Sequence, residues 1–89
     1  MVKITIIGAG SHVFSKRLIT DIISYPELEN SEISLMDINE ERLNLITSFS
    51  KKLVKQTGLK TLVKSSMNRR TALEGADYVV VSIRVGGIE

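Results

Sequence analysis

The stretch ITIIGAGSHV, residues 4–13, is a short β-branched run that stops at a glycine turn. Near-continuous apolar residues that end in glycine are typical of a buried strand in a parallel sheet. Ser11 can cap a following helix, because its hydroxyl can accept a backbone N–H of the first helical turn. The stretch therefore predicts a strand, a tight turn and a helix in direct succession.

Two apolar stripes at helical spacing follow along the chain. The first ends at Tyr25-Pro26, because the residue before a proline is pushed out of the α region. The second lies between Asn39, a candidate N-cap, and Gly58, where a left-handed residue would end the helix. We expect the aromatic members of both stripes, together with Tyr78, in the hydrophobic core. The stripes consist of Val13, Phe14, Leu18, Ile19, Ile22 and Ile23, and of Leu43, Ile46, Phe49 and Leu53.

Strand-like segments separate these helices at residues 33–37, 61–65 and 77–83. Residues 71–74 fit a capping box that opens a short third helix, which Gly75 would close. The resulting order is β-α-β-α-β-α-β, which predicts parallel strands joined by right-handed crossovers. The predicted fold class is α/β, a Rossmann-like half with strand order 3-2-1-4 and flanking helices.

The sheet predicted in this way is incomplete at its C-terminal end. The sequence contains no helix to cover the face that the fourth strand completes, which leaves apolar surface and an open edge. We therefore expect residues 1–89 to be the N-terminal part of a dinucleotide-binding domain, with the catalytic and substrate domain outside this chain. The alternative is a short module that dimerises to cover that surface.

The composition excludes several classes of protein. Hydrophobic residues make up 43% of the 89 residues and charged residues 25%, which argues against disorder. The chain has no cysteine and a net charge of +2, so neither a disulfide framework nor an obvious polyanion binder is expected. Residues 42–72 are rich in lysine and arginine, but their one aromatic residue, Phe49, belongs to the apolar stripe, so we interpret them as a solvated surface rather than a nucleic-acid site. No membrane span or signal peptide is expected, and the predicted location is the cytoplasm.

The glycine turn is a candidate phosphate site, because it follows a predicted strand and opens a predicted helix. Gly8 would allow the tight turn, and Gly10 would let a pyrophosphate approach the backbone and the helix N-terminus. Ser11 could donate to a phosphate oxygen. Val13 replaces the third glycine of the dinucleotide-binding motif. The alternative is a strand-to-helix turn that binds no ligand.

Asp37 ends the predicted second strand, where a dinucleotide-binding fold places the carboxylate that binds the adenosine ribose. Its charge favours NAD over NADP, although with Asn39 it could simply cap the second helix. His12, the only histidine, lacks partners for a metal site or a triad, so we expect it to line the turn or face solvent. Arg84 lies beyond the fourth strand and could approach the cofactor or an anionic substrate, or be a surface arginine.

Three segments resemble the N-terminal region of glycoside hydrolase family 4, the NAD- and manganese-dependent glycosidases. The family includes α-galactosidases, α-glucosidases, α-galacturonidases and 6-phospho-glycosidases. The start GAGSxxF, without a third glycine, distinguishes the chain from lactate and malate dehydrogenases, and the ending GGxE looks closest to the α-galactosidase branch. The segments are GAGSHVF at 8–14, LMDI at 35–38 with Arg42-Leu43, and ALEGADYVV at 72–80 leading to Val85-Gly86-Gly87.

The resemblance implies that NAD would accept a hydride from C3 of the sugar, which lets a base take the C2 proton while manganese stabilises the enediolate and the aglycone is eliminated. Water would then add to the product of elimination, and the hydride would return to C3, so that NAD is regenerated. The metal ligands and the base come from later in the family's chains, so no catalytic or metal-binding residue is expected here. The full-length protein would act on a sugar glycoside and form a homo-oligomer, either a dimer or a tetramer. The implied cofactor-binding residues are Gly8, Gly10, Ser11, Val13, Phe14 and Asp37, with His12, Ile38 and Arg84 as neighbours.

Two other functions remain open from the residues themselves. The chain could be a fragment of an NAD oxidoreductase of the lactate/malate dehydrogenase type, which shares the half-sheet. It could also be a stand-alone, non-catalytic nucleotide-binding module that uses its open edge for a partner.

Overall fold

A computed structural model of the chain describes residues 2–10, 12–28 and 30–81, with His12 and Val13 described by their backbone alone. Four strands alternate with three α-helices, and a 3-10 turn at Pro26–Leu28 precedes the second strand. None of these described helices is long and apolar enough to cross a membrane. The elements are β1 (Lys3–Ile7), α1 (His12–Ile23), β2 (Glu32–Met36), α2 (Glu40–Thr57), β3 (Leu62–Ser66), α3 (Arg69–Leu73) and β4 (Tyr78–Val81).

The four strands form one parallel sheet in the order β3-β2-β1-β4. At the centre, Ile6 of β1 pairs with Leu35 of β2 on one side and with Val80 of β4 on the other. Two crossovers therefore run outward through β2 to β3, and the third returns to the other side of β1. The predicted strand order and α/β class are confirmed.

The core lies on one face of the sheet. Alternate residues of each strand point to the same face, and on this face Ile6, Ile33 and Leu35 are fully buried. They belong to one apolar cluster with Ile19 of α1 and Ile46 of α2, so these two helices form the layer on that face.

The opposite face carries small polar side chains near its centre, and α3 covers it there. The hydroxyls of Thr5 and Ser34 both donate to the backbone carbonyl of Ala72, at 2.7 and 3.2 Å. Helix α3 lies on this second face because its crossover returns to β4 in the opposite direction while keeping the right-handed sense. The sheet is thus wound on both faces.

The predicted caps of the second helix are confirmed, whereas the capping box of the third is wrong. The Asn39 side chain accepts the Arg42 N–H at the start of α2, and Gly58 ends that helix with a φ of 72°. Helix α3 begins earlier than predicted, because the Asn68 side chain accepts the Thr71 N–H at 3.1 Å. Thr71 therefore lies inside the first turn and does not cap it.

Two of the three aromatic residues expected in the core are exposed. Phe49 packs, partly buried, against the apolar cluster, but Phe14 and Tyr78 are 44% and 62% exposed. The buried stripe of α1 runs through Ser15 and Ile19, and an adjacent helical residue is rotated about 100° away from such a stripe. Tyr78 is exposed because β4 is the edge strand of the sheet among the described residues.

Candidate functional site

The turn after β1 folds across the ends of the two central strands. Gly8 has a φ of 79°, in the left-handed region that favours glycine. The backbone N–H groups of Gly8 and Ala9 both donate to the carbonyl of Met36, the last residue of β2, at 2.8 and 2.9 Å. The turn is therefore fixed to the carboxyl end of β2, at the sheet edge where ligands bind in open α/β folds.

The carboxylate of Asp37 connects this turn to the beginning of α2. Its Oδ2 accepts the Gly10 N–H at 2.8 Å, and its Oδ1 accepts the Asn39 N–H at 2.8 Å. Asn39 in turn caps α2. The sequence offered a ribose role and a capping role for Asp37 as alternatives. In the structure Asp37 accepts one N–H from the glycine turn and one from Asn39, the residue that caps α2, and its ribose role stays a prediction.

Gly10 is buried and has no room for a side chain. A Cβ at this position would lie 2.6 Å from Asp37 Oδ2 and 2.8 Å from the Cβ of Arg42, closer than such atoms approach one another. From the sequence, Gly10 is predicted to let a pyrophosphate approach the backbone. The structure adds a reason internal to the protein, which is the close approach of Asp37 and α2 to the turn.

Helix α1 begins at His12, directly after the turn. The first N–H groups of an α-helix have no partner within the helix, and they form the positive end of its dipole. The N–H groups of Gly8, Ala9 and Gly10 already donate to protein oxygens. An anionic ligand at this edge would therefore be held mainly by the N–H groups of the first turn of α1.

The structure describes the other predicted site residues to different extents. Ser11 and Arg84 lie outside the described residues. His12 and Val13 are in the first turn of α1 by their backbone. Ile38 is 81% exposed immediately after Asp37, where it offers an apolar surface to a ligand.

Phe14 also lies in the first turn of α1, and its side chain is exposed. Its ring is therefore available to a neighbouring ligand or protein segment rather than committed to the core. The turn, the start of α1 and Asp37 with Ile38 thus converge on one end of the sheet.

Sequence reasoning missed two features of this region. Arg42 lies beside the turn, since its Cβ is 2.8 Å from the place of a Cβ added to Gly10. It could have been found because the residue three positions after an N-cap lies in the first turn of the helix, beside the cap. Ser15 is fully buried, and its hydroxyl has no hydrogen-bond partner among the described residues. No sequence signal separates such a serine from one that bonds to its own helix.

Among the residues that the structure describes, no three of histidine, cysteine, aspartate and glutamate lie together so as to hold a metal ion. The site as described therefore offers backbone donors, one carboxylate and exposed apolar side chains. These groups suit a ligand with phosphate, sugar hydroxyl and flat apolar parts.

Comparison with known proteins gives a consistent result. A family model described as family 4 glycosyl hydrolase matches residues 3–89. The α-galactosidase of Rhizobium meliloti is 48% identical over 87 residues, which cover 98% of this chain and 18% of that protein. The α-glucosidase of Erwinia rhapontici is 39% identical over 84 residues, covering 94% of this chain and 18% of that protein.

Solved structures agree with the sequence matches. A 6-phospho-β-glucosidase from Thermotoga maritima, solved with manganese, NAD⁺ and glucose-6-phosphate, has a TM-score of 0.82 at 30% identity and covers 98% of this chain and 20% of its own. A 6-phospho-α-glucosidase from gut microorganisms, solved with NAD and glucose-6-phosphate, has a TM-score of 0.83 at 32% identity, with coverages of 97% and 20%. The chain spans about a fifth of the length of these proteins.

Proposed function

The chain belongs to the family 4 glycosyl hydrolases, and we propose that it is the NAD-binding N-terminal segment of a glycosidase that uses NAD and manganese. The observation that carries this proposal is the glycine turn bonded to Asp37 at the start of α1. Two similar structures from the same family are complexes with NAD. The proposed substrate class is an α-glycoside, on the strength of the α-galactosidase and α-glucosidase relatives.

The described residues fit a dinucleotide at this edge of the sheet. The pyrophosphate would lie at the first turn of α1, near Gly10, where backbone donors and the helix dipole favour an anion. Each oxygen of an ionised carboxylate can accept more than one hydrogen bond, so Asp37 retains acceptor capacity for the adenosine ribose. The same negative charge would oppose a 2′-phosphate, which favours NAD over NADP.

NAD would supply a hydride acceptor and manganese a Lewis acid for the reaction that the family resemblance implies. This chain would contribute binding and orientation of the dinucleotide. We propose that the metal ligands and the proton-abstracting base lie in a part of the protein that corresponds to the other four-fifths of its relatives. The 89 residues alone would then bind NAD without hydrolysing a glycoside.

Neither alternative function is favoured by the matches. The relatives named above are glycosidases rather than lactate or malate dehydrogenases, and nothing among them suggests a stand-alone nucleotide-binding module. For the full-length protein we propose a cytoplasmic homo-oligomer, a dimer or a tetramer. The cytoplasmic location is supported by its proposed use of NAD, and the oligomer by the family resemblance.

The test uses the full product of the gene. Isothermal titration calorimetry should show that the protein binds NAD, and that it binds NADP more weakly. Chromogenic α-galactoside and α-glucoside, each with and without a 6-phosphate, should be hydrolysed only when NAD and manganese are both present. Hydrolysis that survives complete removal of NAD would contradict the proposal, and so would the absence of any NAD binding. The preferred chromogenic substrate would identify the sugar and its phosphorylation state.

A further inference from the structure

We propose that Asp37 is a positioning residue for the phosphate-binding turn, in addition to its proposed contact with the adenosine ribose. This inference rests on the proposed function, because it concerns the same dinucleotide site. It adds a separable role, in which the carboxylate orders the turn before any ligand arrives.

The hydrogen bonds of the turn divide into two sets. Gly8 and Ala9 donate to the carbonyl of Met36, an acceptor that belongs to the backbone of β2. Gly10 donates to the side chain of Asp37, which lies 27 positions away in the sequence. Of these bonds, the one made by Gly10 is therefore the one that a side-chain substitution can remove.

This bond lies at the point where the turn joins α1. Gly10 is the last described residue before the helix, which begins at His12. The N–H groups that would hold the pyrophosphate belong to the first turn of α1, so we infer that fixing Gly10 limits how far the start of the helix can move relative to the turn. Holding such donors in place before binding lowers the conformational entropy lost when the ligand binds.

The packing around Gly10 supports the same role. A Cβ there would meet both Asp37 Oδ2 and the Arg42 Cβ, so the carboxylate and α2 fill the space beside the turn. The second oxygen of Asp37 is fixed by the Asn39 N–H at 2.8 Å. The carboxylate is therefore held at both oxygens, as a group that positions another must be.

The two roles of Asp37 predict opposite effects on a ligand that carries phosphate but no ribose. If Asp37 only bound ribose, removing its negative charge would leave the binding of inorganic pyrophosphate unchanged or make it tighter, because like charges repel. If Asp37 positions the turn, removing it weakens pyrophosphate binding despite the electrostatic gain. The sign of the change therefore separates the two roles.

The experiment measures the affinities of adenosine, inorganic pyrophosphate and NAD for the full gene product and its variants. Asp37→Ala is expected to weaken adenosine by about ten- to hundredfold, as for a lost hydrogen bond to a charged group. Pyrophosphate is expected to weaken by about three- to tenfold, because its donors are no longer held in place before binding. Asp37→Asn, which keeps one acceptor oxygen, is expected to lie between wild type and alanine. The matched control is Glu40→Gln, which removes the same charge from the first turn of α2 and is expected to leave pyrophosphate binding unchanged or slightly tighter.

Hydrogen exchange supplies a readout that requires no ligand. In Asp37→Ala, amides of the peptide covering residues 7–13 should exchange faster, whereas those of residues 32–36 in β2 should keep their wild-type rate, which shows that the fold is intact. Pyrophosphate affinity that stays the same or rises in Asp37→Ala would overturn the positioning role, as would unchanged exchange at the turn. A wild-type protein that binds none of the three ligands would instead overturn the proposed function, and the exchange measurement would still decide the positioning role.

Discussion

The strands β2 and β4, which flank the central strand β1, differ in how completely the described residues bury their side chains. On the β2 side, Ile33 and Leu35 are fully buried, and the glycine turn is bonded to the strand end. On the β4 side, Tyr78 and Val79 are 62% and 49% exposed. Backbone pairing and side-chain hydrogen bonds just before β4 thus build the β4 side with little apolar burial, whereas pairing, extensive apolar packing and side-chain hydrogen bonds together build the β2 side. We expect the stability of the chain to depend mainly on the β2 side.

The largest effect should come from truncation of the core on the β2 side. Leu35→Ala removes a fully buried side chain and should lower the free energy of unfolding by about 2–5 kcal/mol. Val81→Ala, in the exposed part of β4, should change it by about 0.5 kcal/mol or less. Urea unfolding followed by circular dichroism measures both. Equal losses would show that the β4 side is packed as firmly as the β2 side.

Gly10→Ala should have the next largest effect. The added Cβ would lie 2.6 Å from Asp37 Oδ2, so the turn or α2 must shift, at a cost of about 1–3 kcal/mol. We expect NAD binding to be lost as well.

The matched control is Gly75→Ala, on the β4 side of the fold. Gly75 has a φ of 72°, but a Cβ added there would meet nothing within 4 Å, so the substitution should cost about 1 kcal/mol from backbone strain alone. It should also leave NAD affinity unchanged. A larger loss of stability in Gly75→Ala than in Gly10→Ala would contradict the close packing at Gly10.

The two capping asparagines allow the same comparison at a smaller scale. Asn39 and Asn68 each accept a backbone N–H three residues later, at 3.0 and 3.1 Å. Asn39→Ala should destabilise the fold by about 1 kcal/mol, since α2 buries five residues of the chain. Asn68→Ala should cost less, because α3 buries only Ala72 and can fray locally. Thermal unfolding of both variants measures the difference, and an equal shift would show that α3 is as strongly coupled to the fold as α2.

Much of this architecture could be predicted from the sequence, because short-range patterns specify it. The apolar run before Gly8 and the cap at Asn39 each act within a few residues, and strands that alternate with helices are typical of a doubly wound sheet with this strand order. The position of Asp37 beside the turn also follows from parallel strands ending at the same edge.

Other features depended on contacts that local patterns do not encode. Helical spacing cannot decide between Phe14 and Ser15 for the buried position, because both lie within the span of one apolar stripe. Asn68 and Thr71 both have side chains suited to capping. Which of them caps α3 depends on where the backbone turns into the helix, and local sequence does not show this. The Asp37 carboxylate bonds to both the glycine turn and the start of α2. Predicting this would require the distance between the turn and Asp37, which are far apart in sequence.

A last comparison concerns two buried hydroxyls, one of which is expected to give an effect whose sign, rather than its size, is informative. The Thr5 hydroxyl donates to the Ala72 carbonyl at 2.7 Å, whereas the Ser15 hydroxyl is buried with no partner in the part of the chain that the structure describes. Thr5→Val should therefore lower the free energy of unfolding by about 1 kcal/mol, and Ser15→Ala should leave it unchanged or raise it by up to about 1 kcal/mol. Chemical denaturation measures both changes. A loss in Ser15→Ala as large as that in Thr5→Val would mean that the Ser15 hydroxyl is hydrogen-bonded in the folded protein, by a water molecule or by a segment that packs against α1.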